Sequence, residues 1–180
     1  LLLATGGRPR ALEAAGTGGE GIHYFRYLED YLYLRHRLEH LQHALVIGGG
    51  FIGLELAAAL RHSGKEVTLL YPDEYPLRRV LTRELGLFVA DFYRQHGVET
   101  VSGESVVSFE VRPGEIMVTT QSRNTVTTEI ALIGVGIDPH TELADAAGLE
   151  VGNGIEVDEY ARTSDPNIWA AGDVAEFPSL

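Results

Sequence analysis

The segment Gly48-Gly49-Gly50-Phe51-Ile52-Gly53 constrains this chain more than any other. It follows Ala44-Leu45-Val46-Ile47, four residues suited to a buried strand. It precedes Leu54-Glu55-Leu56-Ala57-Ala58-Ala59-Leu60, a run of helix formers. Three glycines spaced G-x-G-x-x-G between a strand and a helix suit the turn of a βαβ unit that binds a dinucleotide, with a tight βα turn that holds no ligand as the alternative. Each glycine has its own task. Gly48 permits the tight turn, Gly50 admits a pyrophosphate close to the backbone, and Gly53 lets the helix lie near the strand. The phosphates are expected on free N–H groups at the helix start.

The surrounding pattern extends this unit. Leu1–Ala4 reads as a short buried strand and Ile22–Tyr24 as another. Apolar residues at 28, 31, 32, 34, 38 and 41 predict an amphipathic helix. His43–Ile47 is a strand. Phe51–His62 is a helix stopped by Ser63-Gly64, and Glu66–Tyr71 is a strand followed by a turn over Pro72–Leu77. Arg83–His96 is a helix ending at Gly97, and Val98–Val101 is a strand. Val106–Val111, Ile116–Thr120 and Val126–Ile133 read as an antiparallel meander, separated by Pro113-Gly114 and Ser122–Asn124. A helical turn at Leu143–Ala147 and strand-like runs at Ile155–Val157 and Ile168–Ala171 close the chain. The alternation predicts an α/β fold: a Rossmann-like parallel sheet with right-handed crossovers and an antiparallel β-meander.

Charge and composition remove several function classes. There are 14 basic and 26 acidic residues, a net charge of −12, which opposes binding to nucleic acid or to an anionic membrane surface. No apolar run is long enough to span a bilayer. Absence of cysteine removes disulfides, thiolate metal sites and a redox dithiol from these residues. His36 and His40 are four apart with His43 nearby, but no Glu follows His36, so they read as a solvated helix face and no metal is expected. No serine lies in a G-x-S-x-G context. Tyr24, Phe25, Tyr27, Tyr31 and Tyr33 read as helix packing against the sheet, with a docking face as the alternative. The sole methionine is Met117, and the chain is expected to begin within a longer polypeptide.

Cofactor choice is read at the end of the second strand. An acid there accepts from the ribose hydroxyls, whereas a basic residue accommodates a 2′-phosphate. Tyr71 stands at that place. Asp73 and Glu74 follow, then Arg78 and Arg79. Asp73 reaches the ribose if the strand runs on; a solvated turn is the alternative for both acids. The nearer charges are acidic, which favours NAD over NADP. Glu55 reads either as an exposed helical residue or as a neighbour of the nicotinamide ribose or amide.

Three separated motifs occur in a telling order: Ala4-Thr5-Gly6-Gly7-Arg8-Pro9, the glycine turn with Glu55, and Thr163-Ser164-Asp165-Pro166-Asn167-Ile168-Trp169-Ala170-Ala171-Gly172-Asp173. Together they resemble the pyridine nucleotide–disulfide oxidoreductase superfamily of flavoproteins over nearly the whole chain. The branch most similar contains apoptosis-inducing factor and the NADH-dependent ferredoxin and rubredoxin reductases. The resemblance implies an NAD(P)H-binding domain over residues 25–143, inserted between FAD-domain segments 1–24 and 144–180. It assigns Phe51, Ile52 and Gly136 to the nicotinamide side, and Thr5, Gly6 and Asp173 to FAD. It implies NADH and FAD as cofactors, a small electron-transfer protein as a possible acceptor, and a cytoplasmic enzyme. Tyr71 departs from the usual acid, and the FAD glycine turn is absent from these residues. The lack of cysteine argues against the thioredoxin-reductase branch. Two functions follow: part of an FAD-dependent oxidoreductase passing hydride from nicotinamide to flavin, with no proton-transfer catalyst among these residues, or an NAD(H)-binding module without turnover.

Overall fold

The computed structural model describes residues 1–178, so Ser179 and Leu180, the end of the expected 144–180 segment, lie outside the described residues. In chain order the elements are β1 (Leu2–Leu3), β2 (Gly7–Pro9), β3 (Ile22–Tyr24), α1 (Leu28–Arg37), β4 (His43–Ile47), α2 (Phe51–His62), β5 (Glu66–Tyr71), α3 (Arg83–Gln95), β6 (Val98–Ser102), β7 (Val106–Arg112), β8 (Glu115–Thr120), β9 (Thr125–Thr128), β10 (Ile130–Ile133), β11 (Ile137–Pro139), α4 (Glu142–Ala146), β12 (Ile155–Glu156), β13 (Trp169–Ala170), a 3₁₀ turn (Gly172–Val174) and β14 (Ala175–Glu176). They divide into two units. One comprises residues 11–136; the other comprises residues 1–10 and 137–178. These divisions differ from the expected 24/25 and 143/144: β3 pairs with β10 inside the larger unit, and β11 pairs with β2 inside the smaller.

The larger unit is built on a five-stranded parallel sheet in the order β3-β10-β4-β5-β6. Helices α2 and α3 are the crossovers between β4 and β5 and between β5 and β6, as short parallel connections require. Strand alternation separates two cores. Ala44, Val46, Val67, Leu69, Tyr71, Ile130 and Leu132 pack with Leu54, Leu56, Ala57 and Leu60 of α2. Leu45, Ile47, Leu70, Ala131 and Ile133 pack on the other face, with Val106, Phe109, Ile116 and Val118 of the antiparallel sheet β7-β8-β9. Both faces are covered, so the strands read as continuous apolar runs.

Three expectations need correction. Val126–Ile133 is not one strand. It breaks at Glu129, whose carboxylate accepts from the Gln42 and His43 N–H groups at 2.6 and 2.8 Å. That anchor leaves β9 in the meander and sends β10 into the centre of the parallel sheet. Leu1–Ala4 is not a buried strand: only Leu2–Leu3 pairs, and Leu1 and Leu2 are 75% and 60% exposed. In α1, Leu34 is buried while Leu28, Tyr31 and Leu32 of the predicted apolar stripe are exposed. Tyr27 is exposed as well, so only Phe25 and Tyr33 of the aromatic run pack against the helix-side core.

The smaller unit has a core of Ala144, Leu149, Ile155, Val157, Ala170 and Val174. Short ladders join β1 to β13, β2 to β11 and β12 to β14. Arg8 meets Glu142 at 2.7 Å and Arg10 meets Asp138 at 2.9 Å.

Glu104 follows β6 and fastens the turn between β8 and β9, accepting from Ser122 N–H and Asn124 Nδ2, each at 3.3 Å. Hydrogen bonding from Ser122 holds its carboxyl below the usual carboxylate range. A depressed native pKa gives stability above the unfolded value that is lost as pH falls through the native one. Glu104→Gln should therefore be less stable than the parent at neutral pH, with the gap closing below about pH 4 in urea titrations. Leu69 is fully buried under the helix layer. Leu69→Ala should cost about 2–5 kcal/mol of unfolding free energy.

Candidate functional site

The glycine turn joins the carboxyl end of β4 to α2, where ligands of open α/β sheets sit. Its three signature glycines occupy different surroundings. Gly48 has φ +125°, and a Cβ there would lie 2.3 Å from the Gly134 carbonyl oxygen. Gly53 presses on the turn itself, with a Cβ position 1.9 Å from the Gly48 carbonyl oxygen. Backbone fills the space beside both. Gly50 differs: a Cβ there would meet nothing within 4 Å, and its φ of −85° is open to any residue. The missing side chain at Gly50 leaves room outside the protein rather than within it.

The start of α2 is similarly open. Gly50 provides no side-chain cap, and the first turn holds no acidic residue. At the start of α1, by contrast, Asp30 accepts from the Arg26 and Tyr27 N–H groups at 2.8 and 2.7 Å. At the start of α3, the Thr82 hydroxyl accepts from Leu85 N–H. The leading N–H groups and positive end of α2 thus suit an external anion. A dinucleotide pyrophosphate fits the room beside Gly50.

Beyond the turn, Phe51 is 59% exposed and Ile52 is half-buried. Ile52 and Glu55 line a groove of about 330 Å³ with Phe25, Arg26, Leu56 and Ala59. Phe25 and Arg26 come from the β3–α1 connection, and no sequence motif marks them as neighbours of α2. Gly136 lies just beyond β10, exposed and at φ +110°. Gly134 N–H donates to the Ile47 carbonyl at 2.8 Å, which ties this loop to the end of β4.

At the other end of the turn, Tyr71 closes β5 with its ring beneath Gly49; a Cβ on Gly49 would come 2.9 Å from the ring. Tyr71 is 1% exposed, and burial raises its phenol above the usual value. It stays neutral and cannot replace a carboxylate. Asp73 is half-buried beyond the strand and pairs with Arg78 at 3.3 Å. Glu74 pairs with Arg83, and hydrogen bonding from Arg83 lowers its pKa. The structure therefore groups Gly48, Gly50, Phe51, Ile52, Gly53 and Glu55 in the turn and its helix, with Gly136 two residues beyond Gly134 and with Asp73 and Glu74 on the loop after β5.

Thr5, Gly6 and Asp173 belong to the smaller unit. The Thr5 hydroxyl donates to the His140 carbonyl at 2.8 Å, and Gly6 adopts φ +63°. Asp173 is exposed in the 3₁₀ turn after Gly172, at φ +77°. Its carboxylate chemistry fits an acceptor of hydroxyl hydrogen bonds, and a Cβ on Gly172 would meet nothing within 4 Å. Elsewhere, the His36 and His40 rings stand 6.5 Å apart, while His43 bonds the Thr127 carbonyl and the Thr68 hydroxyl. Among the described residues, no group of three His, Cys, Asp or Glu side chains is placed to hold a metal ion. No helix of the described residues is long and apolar enough to cross a membrane.

Comparison with known proteins places the chain in a family. Residues 1–180 match the family described as pyridine nucleotide-disulphide oxidoreductase. Putidaredoxin reductase of Pseudomonas putida is 40% identical over 185 aligned positions, covering 99% of this chain and 44% of that protein. The crystal structure of a ferredoxin reductase from Rhodopseudomonas palustris superposes with a TM-score of 0.91 at 36% identity, covering 100% of this chain and 45% of that one. A water-forming NADH oxidase from Lactobacillus brevis, solved with NADH bound, gives a TM-score of 0.88 at 28% identity over 97% of this chain and 39% of its own. The chain spans less than half the length of the curated relatives that it matches. The glycine turn, the sheet that carries it and the two flanking motifs have one common origin: the chain belongs to the pyridine nucleotide-disulphide oxidoreductase family.

Proposed function

We propose that this chain is the NADH-binding part of a cytoplasmic FAD-dependent oxidoreductase. The observation that carries the reading is the open space at Gly50 beside the uncapped start of α2. The larger unit, residues 11–136, holds the core of the proposed NAD(P)H-binding domain, and the FAD-binding part takes in residues 1–10 and those after 136. The N–H groups of α2 hold the pyrophosphate. Asp73 accepts hydrogen bonds from the adenine ribose, with Glu74 as a second acid nearby. Phe51, Ile52, Glu55 and Gly136 flank the nicotinamide end, where the apolar side chains exclude water. Thr5, Gly6 and Asp173 hold FAD in the whole protein, Asp173 through hydroxyl hydrogen bonds. When bound, the nicotinamide and flavin supply the hydride and electron chemistry. No side chain here is assigned a proton-transfer role. The named substrates of the relatives support a small redox protein as the final acceptor.

A second reading, an NAD(H)-binding module without turnover, draws on the same cradle: of the two segments with G-x-G-x-x-G spacing, 16–21 and 48–53, only the second joins a strand to a helix. Purification of the whole protein separates the readings: bound flavin with diaphorase activity supports the oxidoreductase, and colourless NADH binding without turnover supports the module. Under both, the 180-residue chain alone is expected to be colourless, to bind NADH and to lack diaphorase activity. Flavin absorbance at unit stoichiometry would instead show a complete FAD site within these residues.

Two glycine substitutions test the cradle. Gly50→Val places a branched side chain in the pyrophosphate's space, so it should abolish calorimetric NADH binding while circular dichroism stays unchanged. Undiminished affinity would move the site elsewhere. Gly53→Ala drives a methyl group into the Gly48 carbonyl. It should lower stability by about 1–3 kcal/mol. The parent should bind NADH at least about tenfold more tightly than NADPH, since a hydrogen bond to a charged group is worth about 1.5–3 kcal/mol.

A further inference from the structure

The second position of the glycine signature is one that its spacing leaves open to any residue, yet Gly49 stands there. Conformation does not require glycine at that place either: Gly48 takes a positive φ, whereas Gly49 does not. The reason lies across the turn, in Tyr71. A Cβ on Gly49 would lie 2.9 Å from Tyr71 Cγ, 3.0 Å from its Cβ and 3.3 Å from its Cδ2. These atoms are the root of the side chain, so the ring cannot swing clear unless the end of β5 moves with it. The ring is also fixed from below, since Tyr71 is 1% exposed and belongs to the helix-side core with Leu54 and Leu69.

Backbone hydrogen bonds draw the turn onto this ring. Gly48 N–H donates to the Leu70 carbonyl, and Leu77 N–H donates to the Gly49 carbonyl, each at 2.8 Å. The bonds hold the turn against the end of β5, and the ring limits how far it can sink toward the core. The next residue is Gly50, which opens on free space at the start of α2. The phenol group has no part in this contact. Its oxygen is buried without a hydrogen-bond partner, and burial holds it neutral.

We infer that Tyr71 is a positioning residue for the anion cradle: its ring, matched in size to the missing side chain of Gly49, sets the height at which the turn presents the leading N–H groups of α2. The inference deepens the dinucleotide reading above and rests on it. The third consecutive glycine and the aromatic residue at the strand end are thus one feature. It acts by shape, through the ring, and uses neither charge nor the phenol hydrogen.

Calorimetric titration of NAD⁺, which does not reduce a flavin, into the whole protein tests this, with circular dichroism checking each fold. The variants are Tyr71→Phe, Tyr71→Ala, Gly49→Ala and the double variant Gly49→Ala/Tyr71→Ala. Tyr71→Phe keeps the ring, so its affinity should stay within about twofold of the parent. Gly49→Ala and Tyr71→Ala should each weaken binding about tenfold, one by lifting the turn and the other by letting it sink. The two losses should not add: the double variant should bind at least about tenfold more tightly than their product predicts, because the new methyl group takes up space that the ring has left. Undiminished affinity in Gly49→Ala would overturn the inference while the parent's binding upheld the site. Additive losses would do the same, as would a loss in Tyr71→Phe equal to that in Tyr71→Ala. Should Tyr71→Ala fail to fold, Gly49→Ala and Tyr71→Phe still decide between these outcomes. A parent that binds no NAD⁺ would overturn the dinucleotide reading and this inference with it.

Discussion

Backbone-on-backbone contact at the glycine turn sets the rest of the arrangement. The first turn of α2 approaches the Gly48 carbonyl so closely that a methyl group at Gly53 has no room. Gly48 in turn leaves no space beside Gly134, which follows β10. Helix, turn and the end of the parallel sheet are therefore held at separations below those that side chains permit. That proximity aims the leading N–H groups of α2 past the strand ends. It also leaves Gly50 as the signature glycine whose missing side chain faces free space. The division of labour is steric: two of these positions are filled by backbone, and one opens on free space.

Electrostatics complements this shape. The chain is strongly acidic, yet no acidic residue occupies the first turn of α2, while α1 and α3 carry acids in theirs. Acidic side chains favour helix starts generally. Their absence at this helix leaves its partial positive charge for an anion. Acidic groups appear instead beyond β5, where Asp73 and Glu74 pair with Arg78 and Arg83.

The local elements were readable because their signals were local. His43–Ile47, Phe51–His62 and Glu66–Tyr71 are bounded in the structure as their periodicity and stop signals suggested. The errors arose where distant residues decide. Nothing around Val126–Ile133 shows that Glu129 will reach back to Gln42 and His43 and split the run. The exposure of Leu28, Tyr31 and Leu32 likewise depends on which side of α1 meets the sheet. In the candidate site, the glycines and Asp73 stood out from motif and position. Phe25 and Arg26 did not, since only the approach of the β3–α1 connection to α2 puts them beside Ile52 and Glu55. The pairing of Asp73 with Arg78 was also hidden, because residue spacing does not show how the loop after β5 bends.

The insertion of β10 between β3 and β4 bears on how the chain is made. β3 and β4 do not pair with each other; both wait for Ile130–Ile133, which joins Ile22 to Ala131 and Ala44 to Ile130. A nascent chain that has emerged only as far as the meander holds two unmatched strand edges. It also lacks Gly134, against which Gly48 closes. Pairing between segments so far apart in sequence is slow, and open edges invite association with other chains. The glycine turn, whose own backbone hydrogen bonds come from residues up to 77, thus completes its packing only after residue 134, and a polypeptide truncated before it would carry the turn without the backbone that closes against Gly48.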